Sequence, residues 1–161
     1  MIRIAFVCYG NICRSPMAEM IFKYLLKVKG LEKEFFVTSL ATSNEEARYN
    51  SPIYPKTKEV LRKNNIPYTE HRATQIRRAD YDKFDYIIGM EDSNVRDILG
   101  IVGHDINKKV YKLLDFSNLP NDIEDPWYHR DFDRTFAEIY YGCEQLIIKL
   151  VEMKENGLIY F

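Results

Sequence analysis

The run Ile2-Arg3-Ile4-Ala5-Phe6-Val7 restricts this chain more than any other segment. It is almost continuously apolar, as expected of a parallel strand buried on both faces. A strand of that kind needs neighbours in the sheet and helices above and below it. The sequence supplies both. Met17, Ile21, Tyr24, Leu25 and Val28 recur at helical spacing behind Pro16, a residue tolerated in a first helical turn, and Gly30 suits the stop. Phe35 to Ser39 and Phe84 to Gly89 read as further strands, and Val110 to Leu114 as a fourth. Helices are expected from about Lys56 to Asn64, from Ser93 to Leu99, and from Asp131 onward, the last with Phe132, Phe136, Ile139, Tyr140, Cys143, Leu146, Ile147, Leu150 and Val151 on one stripe. Strands alternating with helices predict an α/β fold with a parallel sheet and right-handed crossovers.

At 161 residues the chain has the size of one ordinary domain, and no linker or repeat divides it, so residues 1–161 are expected to form a single domain. A net charge of -1 gives no general pull toward nucleic acid or membrane. Met1-Ile2-Arg3 runs straight into the first strand, which predicts no secretory leader. The three cysteines, Cys8, Cys13 and Cys143, neither form an even disulfide framework nor match a zinc ligand spacing, so no metal and no cofactor is expected. A reducing, cytoplasmic setting is the natural expectation for free thiols.

In open parallel sheets, ligands bind beyond the carboxyl ends of the strands. The first strand ends in Cys8-Tyr9-Gly10-Asn11-Ile12-Cys13-Arg14-Ser15, placed between a strand and a helix N-terminus. The same rim is expected to carry the loop from Ser39 to Tyr54, the pair Glu91-Asp92 and the loop from Asp115 to Tyr128. Free backbone N–H groups at such a turn bind anions, and Gly10 or Asn11 can take the geometry that aims them. Arg14 offers a planar fork for two phosphate oxygens, where a lysine would be a point charge. Cys8 at the centre of these groups is favoured as a thiolate nucleophile, and Ser15 can donate a hydrogen bond to it. Cys13 is either loop filler or a thiol close enough to Cys8 for a reversible disulfide, while Cys143 reads as core packing.

The run from Val7 to Glu19 closely resembles the phosphate-binding loop of low-molecular-weight protein tyrosine phosphatases. Asp125-Pro126-Trp127-Tyr128 resembles that family's general-acid loop, and Thr38-Ser39, His71-Arg72-Ala73 and Met90-Glu91-Asp92-Ser93-Asn94 match in order. The resemblance implies a doubly wound, flavodoxin-like or Rossmann-like four-stranded parallel sheet of order 2-1-3-4, with helices on both faces. It implies Cys8 as nucleophile, Arg14 as phosphate clamp and Asp125 as general acid and base. Asn11, Ser15, Ser39 and His71 are implied as supports of the loop, with Ser39 and His71 acting through Asn11. Ile12, Tyr49, Trp127 and Tyr128 are implied to contact the substrate ring. Expected substrates are phosphotyrosine-containing proteins or small aryl phosphates, with inorganic phosphate as product and inhibitor.

The chain departs from the family pattern in two places. Asn44-Glu45-Glu46 stands where many members carry a bulky aromatic, so Tyr49 is the expected substitute, and the acidic pair Glu91-Asp92 is reversed relative to animal members. Arsenate reductases of similar fold need redox cysteines that residues 72–101 lack. Protein-arginine phosphatases carry Thr where this chain has Ile12, which favours phosphotyrosine. A non-catalytic phosphate-binding module, or a phosphocysteine carrier of a sugar transport system, explains Cys8 but not Arg14 and Asp125 together.

Overall fold

In the computed structural model, which describes residues 1–161, β1 (Ile2–Cys8) is the second strand of a four-stranded sheet. It pairs in parallel with β2 (Phe35–Ala41) from Ile2 opposite Phe35 to Cys8 opposite Ala41. On its other side it pairs with β3 (Tyr86–Gly89), which carries the short edge strand β4 (Val110–Lys112). The order β2-β1-β3-β4 is the one implied at the outset. Strand alternation divides the core. Ile4, Phe6 and Cys8 face a large cluster under α1 (Arg14–Val28) and α5 (Phe132–Glu155), whereas Ala5 and Val7 face a smaller one under α3 (Asp92–Val102). α2 (Pro55–Lys63) packs on α5, on the larger cluster's side. After β1 and β2 the chain returns to the opposite side of β1, so the strand order reverses between β1 and β3. A crevice opens at such a reversal, beside the carboxyl ends of those strands.

Local chemistry explains where the element ends differ from the sequence reading. β4 stops at Lys112 because Asp115 Oδ2 accepts the Lys112 N–H at 2.8 Å and draws Leu113–Phe116 into a 3-10 turn. β2 continues to Ala41 because that residue finds a new neighbour: its N–H donates to Thr74 O at 2.8 Å. β3 starts two residues later than expected, at Tyr86; Asp85 instead accepts the Arg3 N–H on Oδ2 at 2.8 Å. A one-turn helix, α4 (Pro126–His129), stands inside a stretch read as loop, with Asp125 as its N-cap.

Gly142 is the one glycine whose missing side chain the packing requires. A methyl group there would lie 2.6 Å from Leu113 Cγ, and Leu113 is wholly buried, so the 3-10 turn can sit directly on α5. Gly142→Ala gains helix propensity but overpacks this contact. The expected net loss is about 2 kcal/mol, or a melting temperature lowered by roughly 4–8 °C in thermal unfolding. A melting temperature within a degree of wild type would show that the turn yields freely.

Candidate active site

The loop between β1 and α1 is shaped by Asn11, which is fully buried and adopts a left-handed backbone with φ of 59°. Such a conformation is open to Asn as to few residues other than Gly. It turns the Asn11 N–H onto Cys8 Sγ at 3.3 Å. The Asn11 side chain completes a relay. Its Nδ2 donates to Ser15 Oγ at 2.8 Å, so the serine hydrogen is shared between Cys8 Sγ at 3.0 Å and Leu40 O at 3.4 Å. Negative charge on the sulfur therefore meets an N–H and an O–H, with the first turn of α1 beyond. That turn begins at Cys13 without a side-chain cap, so its N–H groups remain available to an anion.

Behind the loop, Asn11 is held from a second direction. His71 Nε2 lies 3.1 Å from both Asn11 O and Asn11 Oδ1, and the Thr74 N–H donates to the same Oδ1 at 3.0 Å. Both of its neighbours are acceptors, so His71 Nε2 carries a hydrogen. Burial lowers the His71 pKa, and the nearby Glu19 carboxylate works against that shift without reversing it. Ser39 does not reach Asn11, contrary to expectation. Its hydroxyl donates to Glu19 Oε1 at 2.7 Å, and that oxygen lies 3.7 Å from His71 Nδ1. Ser39 therefore supports the loop at two removes, through Glu19 and then His71. Glu19 was missed because it sits on the buried face of α1, where a carboxylate has no sequence signal of its own.

Arg14 opens α1 and is buried. Its Nη1 donates to Ile123 O at 2.9 Å and to Glu91 Oε2, and its Nη2 faces Asp125 Oδ2 at 3.7 Å. Burial opposes the charge, but Cys8, Glu91 and Asp125 outweigh it, and the guanidinium titrates above its ordinary value. The order of the acidic pair now has a structural meaning. Glu91, at the N-cap of α3, takes Arg14 and also accepts the Ser93 hydroxyl at 2.7 Å. Asp92 turns outward to Lys112 Nζ at 2.8 Å. Asp125 uses Oδ1 to cap α4 through the Trp127 N–H at 2.9 Å, which leaves Oδ2 on the Arg14 side.

Cys8, Asn11, Arg14 and Asp125 line a cleft of about 310 Å³. Ile12 lines it, and Tyr54, Trp127 and Phe132 form an aromatic wall: Tyr54 meets Trp127 edge-on at 5.9 Å and stacks on Phe132 at 6.0 Å. Tyr128 stands at the rim, 85% exposed. Tyr49 does not line the cleft. It is 69% exposed, with the Arg48 guanidinium 4.8 Å over its ring. The aromatic place is taken instead by Tyr54, whose N–H donates to Ile12 O at 2.9 Å; its position before Pro55, at the start of α2, is the signal that could have found it. Opposite, the Thr42 and Ser43 N–H groups donate to Cys8 O and Tyr9 O at 2.9 and 3.0 Å, which brings Glu45 and Glu46 to the mouth.

Cys13 is unpaired, like Cys8 and Cys143, and burial pushes its thiol up to about 12. No group of three or more His, Cys, Asp or Glu side chains is arranged to hold a metal ion, and no helix is long and apolar enough to cross a membrane.

A cysteine in an N–H cradle, a buried arginine and an aspartate thus line one cleft at the strand ends of a doubly wound sheet. The comparisons with known proteins identify the family. The family model for low molecular weight phosphotyrosine protein phosphatase matches residues 3–156, and the chain belongs to that family. It is 37% identical over 158 residues to the low molecular weight protein-tyrosine-phosphatase YfkJ of Bacillus subtilis, across 96% of this chain and 99% of that one. It is 39% identical over 162 residues to PtpA of Staphylococcus epidermidis, across 97% and 100%. The crystal structure of YfkJ superposes with a TM-score of 0.87 at 36% identity, covering 97% of this chain and 96% of that one. A protein tyrosine phosphatase from Entamoeba histolytica superposes equally well, at 0.87 and 27% identity, covering 96% and 99%.

Proposed function

We propose that Cys8, Arg14 and Asp125 divide the chemistry of this protein tyrosine phosphatase among them. Cys8 Sγ attacks phosphorus in line. The S–P bond forms as the P–O bond to the tyrosine breaks, and Asp125 gives its proton to the departing phenolate oxygen. Water then attacks the cysteinyl phosphate and passes a proton back to Asp125. The S–P bond breaks, inorganic phosphate leaves, and the thiolate returns to its cradle. Arg14 and the loop N–H groups spread the charge of the equatorial oxygens, and Glu91 holds Arg14 in place. The observation that carries this reading is the convergence of Asn11 N, Ser15 Oγ and Arg14 around Cys8, with Asp125 Oδ2 3.7 Å from Arg14 Nη2.

The substrates are phosphotyrosine side chains of proteins, or small aryl phosphates, with inorganic phosphate as product and competitive inhibitor. The aromatic wall of the cleft supports a planar phenyl ester over a short alkyl one. Ile12 at the cleft supports phosphotyrosine over phosphoarginine, because an aliphatic side chain gives a guanidinium no acceptor. Wild type is expected to hydrolyse phosphotyrosine peptides and spare phosphoarginine peptides, with Ile12→Thr narrowing the gap. A wild-type preference for phosphoarginine, measured as kcat/KM, overturns the assignment.

The three unpaired thiols support a reducing, cytoplasmic setting. Cys13, five residues after Cys8 in the same loop, is read as the thiol that resolves oxidation, and the burial that keeps it protonated slows that step. Peroxide converts Cys8 to a sulfenic acid, and the Cys13 thiol condenses with it, forming the disulfide and releasing water.

A further inference from the structure

Charge is distributed unevenly around the cleft. Glu45 and Glu46 reach its mouth, and neither takes part in any ion pair of the structure. Glu46 leans across the phosphate loop: a methyl group on Gly10 would stand 3.5 Å from its Cγ. Beyond Asp125 and Tyr128, an adjoining hollow of about 240 Å³ is lined by Glu91, Asp122 and Glu124. The carboxylates on that side are already engaged. Asp122 meets Lys112 at 2.9 Å, Glu124 meets Arg134 at 3.6 Å, and Glu91 holds Arg14. Arg14 is the one cation lining either hollow, and it is buried and turned toward the phosphate position. The acidic charge left uncompensated is that of Glu45 and Glu46.

Two bare carboxylates at the entrance repel a doubly charged phosphate ester, unless the substrate brings positive charge with it. The aromatic rim also accepts such charge. The Trp127 face is taken by the chain's own Arg130 guanidinium at 4.5 Å, a cation in no ion pair that offsets part of the acidic charge. The half-exposed Tyr9 and the exposed Tyr128 offer the free faces beside the mouth. We infer that the cleft selects phosphotyrosines whose neighbouring residues are lysine or arginine, and that Glu45 and Glu46 are the specificity-determining residues. The inference rests on the phosphotyrosine reading given above and names the class of phosphoprotein within it.

Exposed ion pairs are each worth roughly a two- to fivefold change, so two of them set an expected preference of about tenfold. Their reach is limited to a Debye length, about 10 Å at 0.1 M salt, so the preference shrinks as salt is raised. The test compares kcat/KM for one phosphotyrosyl peptide carrying lysines on both sides of the phosphotyrosine with its glutamate counterpart, at 50 mM and 500 mM sodium chloride. Wild type is expected to favour the lysine peptide by about tenfold at low salt, mainly through KM. The double variant Glu45→Gln/Glu46→Gln is expected to reduce that ratio to about twofold, and 500 mM salt to do the same to wild type. Circular dichroism melts check that the double variant is folded, and both side chains lie on a surface loop. Equal turnover of the two peptides by wild type overturns the inference, as does a preference that the double variant keeps in full. Hydrolysis of p-nitrophenyl phosphate by wild type separates the two levels. If that turnover is present, a missing preference sinks the inference alone; if neither it nor any phosphopeptide is turned over, the phosphatase reading falls first.

Discussion

Cys8→Ser lowers turnover of phosphotyrosine by a factor on the order of 10⁴–10⁶, the scale seen when one member of a nucleophile unit is removed. Serine fits the site: its oxygen meets the same Asn11 N–H and Ser15 hydroxyl, and the packing of β1 is undisturbed. An alcohol is a far weaker acid than a thiol, and the Asn11 N–H and Ser15 hydroxyl beside position 8 are donors that take no proton. Binding survives while chemistry is lost. Calorimetry should find inorganic phosphate bound by Cys8→Ser, since Arg14 and the loop N–H groups remain. Rapid denaturation of the wild-type reaction at high pH, where an S–P bond survives, should leave labelled phosphate on Cys8. A variant that still turns over within tenfold of wild type would assign the nucleophile elsewhere.

Asp125→Asn has the second largest effect, a fall in kcat of about 10²–10⁴-fold for phosphotyrosine. Asparagine keeps an oxygen for the Trp127 N–H, so α4 and the cleft wall stay in place and the loss reports proton transfer. The leaving group discriminates further. An ester of a more acidic phenol, such as p-nitrophenyl phosphate, needs less help in the first step and should lose less than phosphotyrosine. If both substrates slow equally and only in KM, Asp125 acts by positioning rather than as an acid.

These two residues were accessible from the sequence for different reasons. Cys8 and Arg14 belong to one contiguous turn between a buried strand and a helix start, so their relation is local. Asp125 is remote and entered through the resemblance of Asp125-Pro126-Trp127-Tyr128 to a known loop. The parallel sheet was legible because β1 is apolar throughout, and α1 and α5 because their stripes keep helical period. What escaped depended on direction rather than position. Tyr49 and Tyr54 lie in one loop, but only Tyr54, tied by its N–H to Ile12 O, faces the cleft. Ser39 and Asn11 both belong to the buried support of the loop, yet Glu19 and His71 stand between them.

By itself the sequence determined the strand, the turn and the helix that cradle an anion, because backbone conformation there follows from neighbouring residues. The tertiary structure decided which distant charges complete the cradle. The return of the chain across β1 sets the end of β3 beside the end of β1, which delivers Glu91 to Arg14 and leaves Asp92 outside with Lys112. A buried guanidinium needs a partner, and which carboxylate serves depends on distances across the sheet that no local pattern encodes.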